Sequence, residues 1–145
     1  MMIGLIALTG CASQRLSMRH PSAERQPQHQ PQHQKVHFDF DQAKIRNEDK
    51  PLLNRVASRL HSDRKSMVLV EGHTDKIGSR RYNEILAENR ARAVRVYLRD
   101  QGADARRITM TSKGSREPLV KGRGRAQLQP NRRVEIIMNL TREGF

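Results

Sequence analysis

The chain has 145 residues, 35 % of them hydrophobic, with no tryptophan, one cysteine and a net charge of +13. That length suits one domain of roughly 100 residues plus a tail, and a single cysteine excludes a disulfide within the chain. From Val36 onward 24 basic residues face 14 acidic ones, so most of the excess charge belongs to the folding part and favours an anionic partner, the alternative being a basic surface that serves solubility alone.

Residues 3–8 form a short apolar run that ends in Leu8-Thr9-Gly10-Cys11. The run is too short to cross a membrane, which takes about 20 apolar residues, but it has the length of a signal core. No Lys or Arg precedes it. Its ending resembles the bacterial lipobox, in which the signal is cut before a cysteine that then carries lipid. Residues 1–10 are therefore expected to be a signal peptide and Cys11 a lipidation site. Ala12 stands where an aspartate would imply retention at the inner membrane, so the resemblance implies an outer-membrane anchor.

Residues 11–35 read as the lipidated cysteine and a linker. Pro21, Pro27 and Pro31 punctuate it, and the tract at 27–34 repeats Pro-Gln-His-Gln. Almost no apolar residue follows Met18, so little surface is available to offset chain entropy. As a coil the segment would average about 25–30 Å end to end. His29 and His33 have the spacing of neighbours on a helix, but Pro31 between them argues against a helical metal site.

Residues 36–40 alternate, with Val36, Phe38 and Phe40 on one side and His37, Asp39 and Asp41 on the other, as in a strand with one buried face. His37, Asp39 and Asp41 lack an evident fourth metal ligand and read as a solvated face. A helix follows, opened by the cap chemistry of Asn47 to Pro51. It repeats Leu52, Leu53, Val56, Ala57 and Leu60 at helical spacing. Residues 66–72 predict a central strand. Ser79 is a plausible N-cap for a long second helix over 80–101, stopped by Gly102. Residues 108–111 and 133–140 predict two more strands, separated by a Gly-rich basic loop containing Lys121, Arg123 and Arg125. The expectation is an α+β domain, a two-layer β-α-β-α-β-β sandwich with a mixed four-stranded sheet and both helices on one face.

The second helix carries an anomaly. At about 100° per residue, Tyr82, Leu86, Ala93, Val94 and Tyr97 share an apolar stripe, and Asn83 and Arg90 fall within it. A buried cation is costly unless paired. Arg90 therefore calls for an anion, from a ligand or from a protein carboxylate such as Glu71 or Asp41. Fifteen residues earlier, Asp75 closes Gly72-His73-Thr74-Asp75 at a strand-to-helix turn, where binding sites are commonly built. It could also serve only as a turn cap. His73 reads as a hydrogen-bonded strand-end histidine, Tyr82, Leu86 and Tyr97 as core with at most an edge toward a ligand, and Arg132 and Arg133 as the start of a strand, equally suited to solvent or to contact with a polymeric ligand.

The strings at 36–41 (VHFDFD), 70–98 (VEGHTDKIGSRRYNEILAENRARAVRVYL) and 131–136 (NRRVEI) resemble the OmpA-like C-terminal domain, and within it the peptidoglycan-associated lipoproteins. The resemblance spans residues 36–141. It implies non-covalent binding of peptidoglycan through the diaminopimelate of its stem peptide. Asp75 would hold the ligand's ammonium and Arg90 its carboxylate, with Phe40, Asp41, Asn83 and Leu86 lining the pocket. It also implies an outer-membrane lipid anchor with the domain facing the periplasm, and a Tol-type periplasmic protein as a possible partner. The chain departs from the family pattern at Ala87, at Lys113 and in the basic loop at 121–125. Replacing Asp75 or Arg90 by alanine is expected to leave the fold intact and abolish wall binding.

No cofactor and no metal is expected. Few aromatics and no reading motif argue against nucleic acid. No nucleophile, metal set or phosphate loop points to an enzyme. A basic module for nucleic acid, acidic glycan or lipid, or an envelope lipoprotein with a signalling role, stays as the alternative.

Overall fold

The structure is a computed structural model that describes residues 31–138. Cys11, the signal expected at 1–10, most of the linker and the end expected for the last strand, including Leu140, lie outside the described residues. No helix among the described residues is long and apolar enough to cross a membrane.

The elements are β1 (Gln32–His37), α1 (Lys50–Ser62), β2 (Val68–His73), α2 (Arg80–Asp100), β3 (Ile108–Gly114) and β4 (Arg133–Met138), with short 3-10 turns between some of them. The sheet order is β1-β4-β2-β3. β4 is antiparallel to both β1 and β2, while β3 runs parallel to β2. This is the mixed four-stranded sheet expected from the sequence. A parallel β2–β3 pair needs a crossover, and α2 supplies it.

Alternation along the strands builds one core. Val36, Val68, Val70, Ile108, Val134, Ile136 and Met138 are buried with Leu53, Val56 and Leu60 of α1 and Ala91, Val94 and Leu98 of α2. Burying each of the Val, Leu, Ile and Met side chains contributes roughly 1.5–3 kcal/mol.

Local chemistry sets the helix ends. Pro51 sits in the first turn of α1, where its missing N–H costs nothing. The Ser79 side chain accepts from Tyr82 N at the start of α2. Gly102, at φ +93°, ends that helix, and Ala103 N reaches back to Leu98 O, as in a Schellman-type stop.

Two expectations shift. β1 begins at Gln32, so residues 32–35, read as linker, are strand. They pair with β4 in register from Gln32↔Met138 to His37↔Arg133. An edge strand exposed on one side tolerates a polar sequence, which is why composition hid it. The buried stripe of α2 is Asn83, Ala87, Arg90, Ala91, Val94 and Leu98, rotated by about 70° from the expected one at 100° per residue. Tyr82 is not core but 45 % exposed. Tyr97 packs at the core's edge and its hydroxyl donates to Asn54 Oδ1 at 2.9 Å. A tyrosine places its ring at such a border and its hydroxyl outward.

Candidate functional site

Gly72 determines how α2 meets the sheet. A Cβ at this position would lie 1.9 Å from the carbonyl oxygen of Ala87, so only glycine lets the helix backbone sit directly on β2. This close approach sets Arg90, one turn beyond Ala87, over the end of β2.

Arg90 is fully buried. Its Nε donates to Gln42 O at 2.8 Å, Nη1 to His73 O at 2.9 Å and Nη2 to Asp39 O at 3.1 Å. The guanidinium also lies 5.3 Å from the Phe38 ring centroid, a cation–π distance. Its partners within the protein are therefore main-chain carbonyls and not the carboxylate of Glu71 or Asp41 considered from sequence. The loop after β1 and the end of β2 converge on one cation, and the planar fork with its five N–H donors ties them together. Burial lowers the Arg90 pKa from its ordinary value to about 10; the Asp75 charge opposes this shift and the Arg132 charge adds to it. Arg90 thus remains a cation at neutral pH.

Asp75 is buried at the β2–α2 turn. Its Oδ1 accepts from Ile77 N at 3.0 Å, the turn-capping role foreseen for it. Its Oδ2 pairs with Arg132 Nη1 at 3.2 Å. Arg132, expected to be a strand end, is 7 % exposed. It donates further from Nη1 to Arg125 O and from Nε to Phe38 O. Nothing in the sequence tied Arg132 to a turn 57 residues earlier. The doublet Arg132-Arg133 beside a strand of apolar residues was the available signal, since both could not face water.

A small pocket joins these groups. It is lined by Phe40, Asp41, Asp75, Asn83, Leu86 and Arg90, the six residues named from sequence, together with Thr74, Ile77, Tyr82 and Arg132. The enclosed space is about 20 Å³, enough for roughly one water. A space of this size admits only a small polar group. At the pocket's rim the Tyr82 hydroxyl donates to Asp41 Oδ1, and this bond raises the Tyr82 pKa. Asp41 adopts φ +59°, a left-handed conformation that Asp tolerates better than most residues. The Arg125 guanidinium covers the Phe40 ring at 4.3 Å, so the basic loop, whose role was open from sequence, reaches the pocket.

The arrangement offers a carboxylate and two buried guanidinium groups beside an aromatic ring and a leucine. It places both signs of charge beside apolar surface in one pocket. His73 faces the other way. It is 1 % exposed, and neither ring nitrogen has a hydrogen-bond partner among the described residues, so the expectation of a satisfied histidine does not hold. Burial, aided by the Arg133 charge, depresses its pKa to about 4.

The OmpA family matches residues 37–132 of this chain. Outer membrane protein A of Bordetella avium is 36 % identical over 99 residues, covering 68 % of this chain and 51 % of that protein. The peptidoglycan-associated lipoprotein of Haemophilus influenzae is 38 % identical over 101 residues, covering 70 % of this chain and 66 % of that protein. The chain thus spans about half to two thirds of the length of these curated relatives. The crystal structure of the peptidoglycan-associated lipoprotein from Burkholderia pseudomallei matches with a TM-score of 0.71 at 31 % identity, over 72 % of this chain and 89 % of that one. The C-terminal domain of Helicobacter pylori MotB matches with a TM-score of 0.67 at 22 % identity, over 76 % and 87 % of the two chains, a likeness of fold alone. The sheet order, the long crossover helix and the sequence matches agree: the chain belongs to the OmpA family.

Proposed function

We propose that this chain is an outer-membrane lipoprotein that binds peptidoglycan non-covalently through the diaminopimelate of its stem peptide. Lipid on Cys11 would hold it in the membrane, and the domain would grip the wall from the periplasmic side. The observation that carries this reading is the shared pocket of Asp75 and Arg90. Its relatives include proteins named peptidoglycan-associated lipoprotein.

The chemistry follows from the charges. A carboxylate has about four acceptor sites, and Asp75 uses two of them on Ile77 and Arg132, leaving capacity for an ammonium. Arg90 spends three of its five donors on carbonyls. The remaining donors of Arg90, with Arg132 beside it, would take the ligand's carboxylate through charge-assisted bonds. Phe40 and Leu86 offer apolar surface for the methylene chain between the ligand's two charged ends. Many weak contacts along one wall would act together as a tether.

Co-sedimentation of the full chain with purified sacculi tests the proposal. The expected result is pelleting that a soluble diaminopimelate-containing peptide reverses. A chain that stays in the supernatant, or that pellets regardless of the competing peptide, would overturn it. Steep loss with added salt and no competition by the peptide would mark general polyanion binding instead. Release of soluble muropeptides would mark an enzyme.

A further inference from the structure

The face of the sheet turned away from the helices carries a second cluster. Glu71 and Glu135 stand directly opposite each other across the β2–β4 ladder, where like charges repel. His73 follows two residues after Glu71, on the same face. One ligand atom from each of Glu71, His73 and Glu135 lies within 4.8 Å of the other two. His73 is buried, and both its ring nitrogens lack a hydrogen-bond partner among the described residues.

We propose that Glu71, His73 and Glu135 form a site for a divalent transition metal of the zinc class, with three protein ligands and the fourth position left to water, as in open zinc sites. Ligand atoms around zinc stand about 2.0–2.2 Å from the ion, which puts them roughly 3.4 Å from one another. Side-chain shifts of about an ångström would therefore close the cluster around an ion. One imidazole nitrogen with two carboxylates suits zinc better than calcium or magnesium, which prefer oxygen alone.

The neighbouring charges leave room for the ion. Arg133 Nε engages Glu135 through Oε1 at 2.7 Å, and the second oxygen of that carboxylate can serve the metal. Lys113 lies 3.6 Å from Glu71 Oε1 and only 3.0 Å from Glu117, so it can relax toward Glu117. These cations account for the carboxylates without a metal, but they leave both His73 nitrogens buried and unused. Their positive charge also makes the site weaker than the same ligands would be without cations beside them. An ion here would brace the end of β2, two residues before Asp75 and at the residue whose carbonyl holds Arg90.

The test is zinc titration of the full chain carrying His29→Ala and His33→Ala, which removes the paired histidines of the Gln-rich tract. Calorimetry reads the stoichiometry, and imidazole 15N NMR reads which histidine responds. The expected result is one zinc per chain, a shift of the His73 ring resonances, and at least tenfold weaker binding in Glu71→Gln. The NMR readout on the parent chain needs no substitution at the buried His73. If the His73 resonances stay fixed at saturating zinc, or if Glu71→Gln binds zinc as the parent does, the proposal is overturned.

Discussion

Asp75 and Arg132 form an ion pair 3.2 Å apart, with side chains only 5 % and 8 % exposed. The pair joins the β2–α2 turn to the start of β4, and it occupies part of the carboxylate proposed to meet a ligand's ammonium. Removing one member of a buried pair strands the other, at about 3–5 kcal/mol. Asp75→Ala is therefore expected to weaken the fold as well as wall binding, contrary to the simpler expectation from sequence. Asp75→Asn keeps the shape and an acceptor for Ile77 N but also leaves the Arg132 charge without its carboxylate, so it should lose stability too, though less than Asp75→Ala, which also opens a cavity. Sacculus binding by Asp75→Asn, measured where the variant is still folded, should drop at least tenfold. Urea denaturation alongside co-sedimentation separates the two effects, and unchanged pelleting of Asp75→Asn would remove Asp75 from the site.

Arg90 has a structural duty that its position in the pocket does not reveal. Its three bonds run to the carbonyls of Asp39, Gln42 and His73, and hydrogen bonds to charged groups are each worth about 1.5–3 kcal/mol. Arg90→Ala takes a charged donor from three carbonyls, of which Asp39 O keeps Gln42 N, and leaves a cavity the size of a side chain. It should cost at least about 3 kcal/mol, seen as a lower urea midpoint. Arg90→Lys keeps the charge but not the planar fork, so its stability should fall between the two. A parent-like midpoint for Arg90→Ala would show that the carbonyl bonds carry little of the fold.

How much of this was legible in the sequence depended on how local each cause is. Ser79, Pro51 and Gly102 act within one turn of the helix they delimit, and periodicity with capping chemistry located both helices. Arg90 stood out because a cation inside an apolar stripe conflicts with its surroundings, and a resemblance supplied Asp75 and the rest of the pocket. Misreadings arose where small or amphipathic residues decided the packing. Ala87 and Ala91 are weak apolar signals, yet they face the sheet because Gly72 lets the helix come so close. Tyr82 and Tyr97 are strong apolar signals whose hydroxyls reach outward to Asp41 and Asn54. Long-range pairings left no local trace. Arg132 with Asp75, Arg125 over Phe40, and Glu135 beside Glu71 and His73 all depend on how β4 and the loop before it fold back.

The contact between Gly72 and Ala87 makes a further sharp prediction. A methyl group at position 72 would come within 1.9 Å of the Ala87 oxygen, and backbone cannot turn away as a side chain can. Overpacking typically costs about 1–3 kcal/mol and occasionally more, and Gly72→Ala should reach or exceed the top of that range. Lifting α2 would also draw Arg90 off the His73 carbonyl, so the pocket should loosen with the core. Thermal unfolding and amide exchange at residues 83–91 would check both consequences. A Gly72→Ala protein with parental melting would mean that α2 can shift without penalty.

His73 sets the expected response to acid. Its folded pKa is depressed to about 4, below the ordinary value near 6.5. Between these values the unfolded chain binds a proton that the folded chain refuses, so stability rises with pH across that window. Stability should therefore be intact above pH 6.5 and fall as pH drops towards 4, losing about 2 kcal/mol between pH 7 and pH 5. His37, whose pKa is also lowered, chiefly by burial, adds a smaller loss of the same sign. Glu135 contributes only at lower pH, since Arg133 outweighs burial and holds its pKa below the usual carboxylate value. Urea titrations at pH 7, 6 and 5, with chelator present to exclude metal, measure the slope. Replacing the imidazole by a group that does not titrate, as in His73→Asn, should flatten most of that slope whatever it does to absolute stability. A parent chain equally stable at pH 5 and pH 7 would mean that His73 takes up its proton in the folded state, which would require it to reach water or a carboxylate.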